Sequence, residues 1–239
     1  MSSLKPLMDY AVDLLDKQVL ARLTELLQGS IAHQFQHHGE SAFKSGVEIA
    51  RVLRVENFPL WTKYQAHLEQ VKSDLSWFNI AAGSSQLSTQ ISDNLPAECG
   101  HLDSSVAKCM LFHGTDYESA VQIAVGGFDF RLSKPGYYGQ GTYFASQACK
   151  SHQCTTKKSS LHTILLSRVI LGDVAFAEAV DKDRKIPPKH PGIPRCVDTV
   201  VAKPGPMPGH HNGQQAHEEY VIFEKYQAYP ECIIQYRCR

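Results

Sequence analysis

Leu111-Phe112-His113-Gly114-Thr115 puts a histidine at the end of a short apolar run, with a glycine directly behind it. Such a run reads as a strand, and the glycine lets a ligand approach the backbone beside the imidazole. Taken alone, a histidine of this kind is more often a hydrogen-bonded structural residue than a functional one. Two more segments change that balance. In Tyr138-Gly139-Gln140-Gly141-Thr142-Tyr143-Phe144-Ala145, with Gly136 and Tyr137 just before it, glycines alternate with aromatics. A tight turn accounts for the glycines equally well, yet an aromatic flanked by glycines also offers a flat face to a planar heterocycle. The spacing is not that of a Rossmann dinucleotide turn, because no Gly-x-Gly-x-x-Gly leads into a helix. Glu219-Tyr220-Val221-Ile222-Phe223 opens a third apolar strand with a carboxylate, which in a cleft accepts hydrogen bonds from a sugar hydroxyl. Its neighbour Glu218 reads as the solvated acid of the pair.

Composition bounds what these segments serve. The chain has 239 residues, 43% of them hydrophobic and 20% charged, which fits one sizeable core or two small ones. Lys plus Arg and Asp plus Glu both number 24, so the net charge is zero and no nucleic-acid footprint is indicated. No apolar run is long enough to span a bilayer, and Asp9, Asp13, Asp16 and Lys17 interrupt any signal-peptide core. The 7 cysteines are odd in number and irregularly spaced, as expected of reduced thiols in the cytoplasm or nucleus.

Along the chain, Met8, Val12, Leu15, Val19, Leu23 and Leu26 recur at helical spacing and predict a helix over 6–28, stopped by Gly29. A polar linker with Gln34, Gln36, His37, His38 and Gly39 follows. Alternation from Val47 to Val55 predicts a strand. Pro59 then opens a helix with Trp61, Tyr64, Leu68, Val71 and Leu75 on one face. Residues 82–105 read mainly as a loop. Beyond them strands are expected at 109–113, 142–145, 163–171, 196–201, 219–224 and 231–237, with short helices over 116–125 and 146–154. Long loops rich in Pro, Gly, His and Lys fill 181–195 and 203–217. The class is α+β, without the strand–helix alternation of a parallel doubly wound sheet. Cys149, His152 and Cys154 offer a zinc-like spacing that lacks a fourth ligand nearer than Cys196 or His162, so no metal is expected. His210-His211 is less specific still.

Taken together and in order, these segments resemble the poly(ADP-ribose) polymerase family, the diphtheria-toxin-like ADP-ribosyltransferases with a His-Tyr-Glu triad. The likeness runs through Val55-Glu56-Asn57, Leu60-Trp61-Thr62-Lys63-Tyr64, the His113 segment, Phe128-Asp129-Phe130-Arg131, the Tyr143 segment, Arg168-Val169, Leu171-Gly172-Asp173, Pro187-Pro188, Val197-Asp198, the Glu219 segment and Gln227-Ala228-Tyr229-Pro230, and ends at Ile233-Ile234-Gln235-Tyr236. It implies a catalytic domain over 46–239, with residues 1–45 as a helical extension and linker that leaves no room for the family's regulatory helical bundle. It implies two packed, mostly antiparallel sheets with an NAD cleft between them. It also implies an enzyme that cleaves NAD and transfers mono- or poly-ADP-ribose to acceptor proteins, itself among them, without a metal or a membrane.

By the same resemblance His113 bonds a ribose hydroxyl of NAD, Gly114 and Ser151 hold the nicotinamide carboxamide, and Tyr143 stacks on the ring. Glu219 binds the ribose 2′-hydroxyl and stabilises the cationic transition state. Arg131 and Tyr138 are further NAD contacts. Three departures qualify this picture. Cys154 stands where many members place a second stacking tyrosine, so the ring is held on one side only, or by His152. Gln140 stands where polymerising members often have lysine. Glu219 is kept where many similar members carry an apolar residue and transfer a single unit. An inactive fold serving as a binding module and an NAD glycohydrolase are the competing activities.

Overall fold

The computed structural model describes residues 9–30, 46–83, 102–156, 159–203, 205–206 and 215–239. The strands are β1 (Ala11–Asp13), β2 (Val47–Val55), β3 (Lys108–Thr115), β4 (Thr142–Ala145), β5 (His162–Ile170), β6 (Val174–Phe176), β7 (Thr199–Ala202), β8 (Gly205–Pro206), β9 (Gln215–Ala216), β10 (Glu219–Ile222) and β11 (Ala228–Cys238). The α-helices are α1 (Lys17–Gly29), α2 (Phe58–Trp77), α3 (Tyr117–Gly126) and α4 (Ala148–His152). Nine strands pair in the order β1-β2-β11-β5-β3-β4-β10-β7-β6, and β8 pairs with β9 apart from them. All pairs in the large sheet are antiparallel except β6 with β7.

The two expected sheets are therefore two halves of one hydrogen-bonded sheet. Their junction is narrow. β3 follows β5 along its whole length but meets β4 only at Phe112 and Ala145. Past that pair the two strands part, and the His113 ring bridges the gap by bonding the Tyr143 carbonyl.

Helices cover both faces of the first half. Leu60, Tyr64, Leu68, Val71 and Leu75 of α2, with Ala120, Val121 and Ala124 of α3, pack on Leu53, Val55, Leu165, Val169 and Ile233. Val19, Leu23, Leu26 and Leu27 of α1, with Ala148 and Cys149 of α4, pack on Val47, Val52, Met110, Phe112, Ile164, Leu166 and Ile234. Strands buried on both faces read as continuous apolar runs, as Ile164-Leu165-Leu166 and Ile233-Ile234 do.

The N-terminal expectation needs correction. The helix predicted over 6–28 begins at Lys17, and Ala11–Asp13 instead extends the sheet by pairing with Leu53–Val55. Asp16 sets the boundary, because its side chain accepts the Gln18 and Val19 amides at 2.8 and 3.1 Å and caps α1. Val12 and Leu15, placed on the helical stripe by periodicity, are 45% and 80% exposed. β6 was not foreseen, and the strand expected at 196–201 is β7, shifted toward the C-terminus. The linker with Gln34 to Gly39, most of the 82–105 loop and most of the 203–217 loop, including His210-His211, lie outside the described residues.

Candidate active site

Strand alternation does the first part of the assembly. Glu219 pairs with Ala145 and Val221 with Tyr143, so Tyr143 and Glu219 are diagonal neighbours on one face of β4 and β10. Phe144 and Tyr220 point the other way, into the core under α2 and α3. His113 enters from β3 at the junction between the sheet halves. Its Nδ1 lies 2.8 Å from the Tyr143 carbonyl oxygen, which only accepts, so Nδ1 carries the proton and Nε2 presents a lone pair. Burial holds the imidazole below its usual pKa, against the opposing effect of that carbonyl, so the ring is neutral near pH 7. Phe128 and Phe144 pack against it.

The Tyr143 ring is fixed at its rim and along its flank. Its hydroxyl donates to the Gly139 carbonyl at 2.8 Å and accepts the Tyr138 amide at 2.9 Å. A Cβ on Gly136 would lie 2.4 Å from the Tyr143 ring, so only glycine lets this turn lie against the aromatic. Gly114 is tighter still. A Cβ there would stand 1.7 Å from the Ser151 carbonyl oxygen, so β3 and α4 touch backbone to backbone. Ser151 is buried and its hydroxyl donates to the Phe112 carbonyl at 3.0 Å, tying α4 to β3 beside Gly114.

Lys150 is the residue that sequence reasoning missed. Its ammonium sits 3.2 Å from Glu219 Oε1, and both groups are largely shielded from water. Burial pushes the Glu219 carboxyl above the ordinary glutamate value, while the Lys150 charge and hydrogen bond pull it back. The available signal was only that Lys150 precedes Ser151 on a predicted short helix; its partner is remote in sequence. Glu218 also departs from expectation. It is 7% exposed rather than solvated, and accepts from Tyr220 Oη at 2.6 Å and Ser146 Oγ at 3.2 Å on the opposite side of the strand from Glu219.

His113, Gly114, Tyr143, Lys150, Ser151 and Glu219 thus meet around one junction. Other expected contacts do not. The Tyr138 ring is 2% exposed and packs with Val200, Ala202, Val221 and Phe223; its part at the site is the backbone amide that holds Tyr143. Arg131 lies on an exposed turn, where Asp129 engages it at 2.8 and 2.6 Å. That pairing holds the Asp129 carboxyl down at about 2. His152 does not replace the missing second aromatic. One residue along a helix turns the side chain by roughly 100°, so Ser151 faces β3 while His152 faces Tyr236 and His162. Cys154 is exposed.

A His, a Tyr and a Glu gathered where a mostly antiparallel sheet divides is the layout of an ADP-ribosyltransferase fold. The model of the poly(ADP-ribose) polymerase catalytic domain matches residues 29–238, and the chain belongs to that family. It is similar to the protein mono-ADP-ribosyltransferase PARP12 of Homo sapiens, 27% identical over 190 residues that cover 79% of this chain and 22% of that protein. The Mus musculus PARP12 is 32% identical over 128 residues, covering 53% of this chain and 16% of its own length. The Mus musculus protein mono-ADP-ribosyltransferase PARP11 is 24% identical over 210 residues, covering 79% of this chain and 52% of that protein. The chain thus spans about a fifth of human PARP12 and about half of PARP11. Among the described residues no helix is long and apolar enough to cross a membrane.

Proposed function

We propose that the domain binds NAD across the sheet junction, cleaves the bond between nicotinamide and ribose, and transfers ADP-ribose to side chains of acceptor proteins. The observation that carries this reading is Glu219, buried beside Lys150 on the same sheet face as Tyr143. Breaking the C1′–N bond sends its electron pair to the pyridinium nitrogen and leaves positive charge on the ribose. A carboxylate held ionised against that cation stabilises the transition state more than the ground state. His113 Nε2 would accept from a ribose hydroxyl, Tyr143 would stack on the departing ring, and Gly114 with Ser151 would hold its carboxamide. An acceptor oxygen or nitrogen then forms the new bond to C1′ and releases its proton. The chemistry rests on positioning and charge, and no step needs a metal.

Incubation with labelled NAD tests this. The native chain should release nicotinamide and label protein, and Glu219→Ala and His113→Ala should each lose both. Release without labelling would make the domain a hydrolase, and neither reaction would make it a binding module. A ladder of heavy products from the native chain would show polymer growth, and single additions would show mono-ADP-ribosyl transfer.

A further inference from the structure

The face of α4 turned away from Ser151 carries a second group of residues that the reaction does not use. His152 at the end of α4, His162 at the start of β5 and Cys238 at the end of β11 each offer one ligand atom, and these atoms lie within 4.8 Å of one another. The two imidazoles stand edge to face with centroids 4.5 Å apart. Hydroxyls orient both rings. Tyr236 Oη lies 2.8 Å from His152 Nδ1, and Thr155 Oγ1 lies 2.9 Å from His162 Nδ1. Thr155 Oγ1 gives its own proton to the His152 carbonyl, so it accepts from His162 Nδ1–H and leaves the His162 lone pair on Nε2. Ligating histidines characteristically use the second ring nitrogen in this way.

We propose that His152, His162 and Cys238 bind a divalent transition-metal ion of the zinc class and so clamp α4 to the ends of β5 and β11. Two imidazoles and a thiolate are ligands this ion favours, and all three residues are half-buried, so water can take the fourth position. Tetrahedral zinc with bonds of roughly 2.0–2.3 Å needs ligand atoms about 3.3–3.8 Å apart, a contraction of roughly 1 Å that side-chain rotation supplies. The set differs from the Cys149, His152 and Cys154 spacing in the sequence, because Cys149 is buried in the core under α4 and Cys154 lies outside the cluster. The role is structural. α4 is 5 residues long and its own N-cap residue makes no side-chain bond, so tertiary contacts must hold it, among them Ser30 Oγ accepting the Ala148 amide at 3.1 Å, and it carries Lys150 and Ser151 on its other side.

Titrating the metal-free chain with Zn²⁺ alone, followed by calorimetry and thermal unfolding, should show one ion bound per chain and a raised Tm. Co²⁺ in its place should give a thiolate-to-metal charge-transfer band. Cys238→Ser should lose that band, and both Cys238→Ser and His162→Ala should weaken Zn²⁺ binding at least tenfold. Cys154→Ser should leave both unchanged. A native chain whose Tm does not respond to Zn²⁺, or a thiolate band that survives in Cys238→Ser, would overturn the proposal. The Co²⁺ spectrum of the native chain decides on thiolate ligation even if His162→Ala fails to fold.

Discussion

Glu218 and Glu219 are adjacent in sequence and serve opposite faces of β10. Sequence patterning put Glu219 at the start of this strand and read Glu218 as the solvated acid, yet both are 7% exposed. Family resemblance singled out Glu219, and the register with Ala145 and Tyr143 supplies the physical reason. Lys150 stayed hidden because an ion pair between distant residues leaves no local signature. Burial raises the Glu219 pKa above its ordinary 4.5. Between that value and the higher one in the fold, the native chain holds more protons than the unfolded chain, so this group's contribution to stability falls as pH rises. Above its folded-state pKa the fold carries an ionised group that burial disfavours. Glu219→Gln should raise the thermal midpoint at pH 7 while lowering ADP-ribose transfer about 100- to 1000-fold. The gain in midpoint should shrink on acidification, and scans at several pH values check it. A midpoint that drops at pH 7 would show that the Lys150 pair outweighs burial.

At the scale of elements, boundaries were legible where a side chain makes them. Pro59 announced the start of α2, and the structure shows that Asn57 just before it matters twice. Asn57 Oδ1 accepts the Leu60 amide at 3.0 Å, while Nδ2 donates to the Ala124 and Val125 carbonyls at the end of α3, both at 2.9 Å. One buried side chain closes the N-terminus of one helix and the C-terminus of another. Asn57→Ala should cost about 2–4 kcal/mol, more than the roughly 1 kcal/mol of an ordinary cap, because two carbonyls also lose their donor. Equilibrium urea unfolding measures this. At the other extreme, the Met8-to-Leu26 stripe looked like one helix because a three-residue edge strand is too short to interrupt a periodic pattern. Asp16, whose side chain accepts the Gln18 and Val19 amides, was the cue. Arg51 grips Asp13 at 2.6 and 2.8 Å and holds the preceding segment on the sheet.

For the whole molecule, strands could be found in sequence but their order could not, because pairing partners lie far apart along the chain. The C-terminal β11 is the clearest case, since it sits in mid-sheet between β2 and β5. Several residues of the family-like segments hold this arrangement together. Gln227 donates to the Ile170 and Asp198 carbonyls, and the Tyr229 hydroxyl donates to the Val55 carbonyl. Arg168 on β5 meets Glu231 on β11 at 2.6 Å with both side chains buried. Glu231→Ala should destabilise the fold by about 3–5 kcal/mol, because it leaves the guanidinium buried without its carboxylate. Chemical denaturation would show it, and Glu231→Gln should recover part of the loss.

The single residue pair joining β3 to β4 has a dynamic consequence. Backbone amides of β2, β11, β5 and β3 should exchange with deuterium as one slow group, sealed by helices on both faces. Amides of β4, β10 and β7 should open sooner and separately, since only Phe112 and Ala145 bind the halves through the ladder. A molecule gripped at once by His113 on one side and Glu219 on the other would merge the two exchange groups into one. NAD added during labelling should therefore slow β4 and β10 far more than β2 or β11. An unchanged exchange pattern in its presence would mean that nothing bridges the gap.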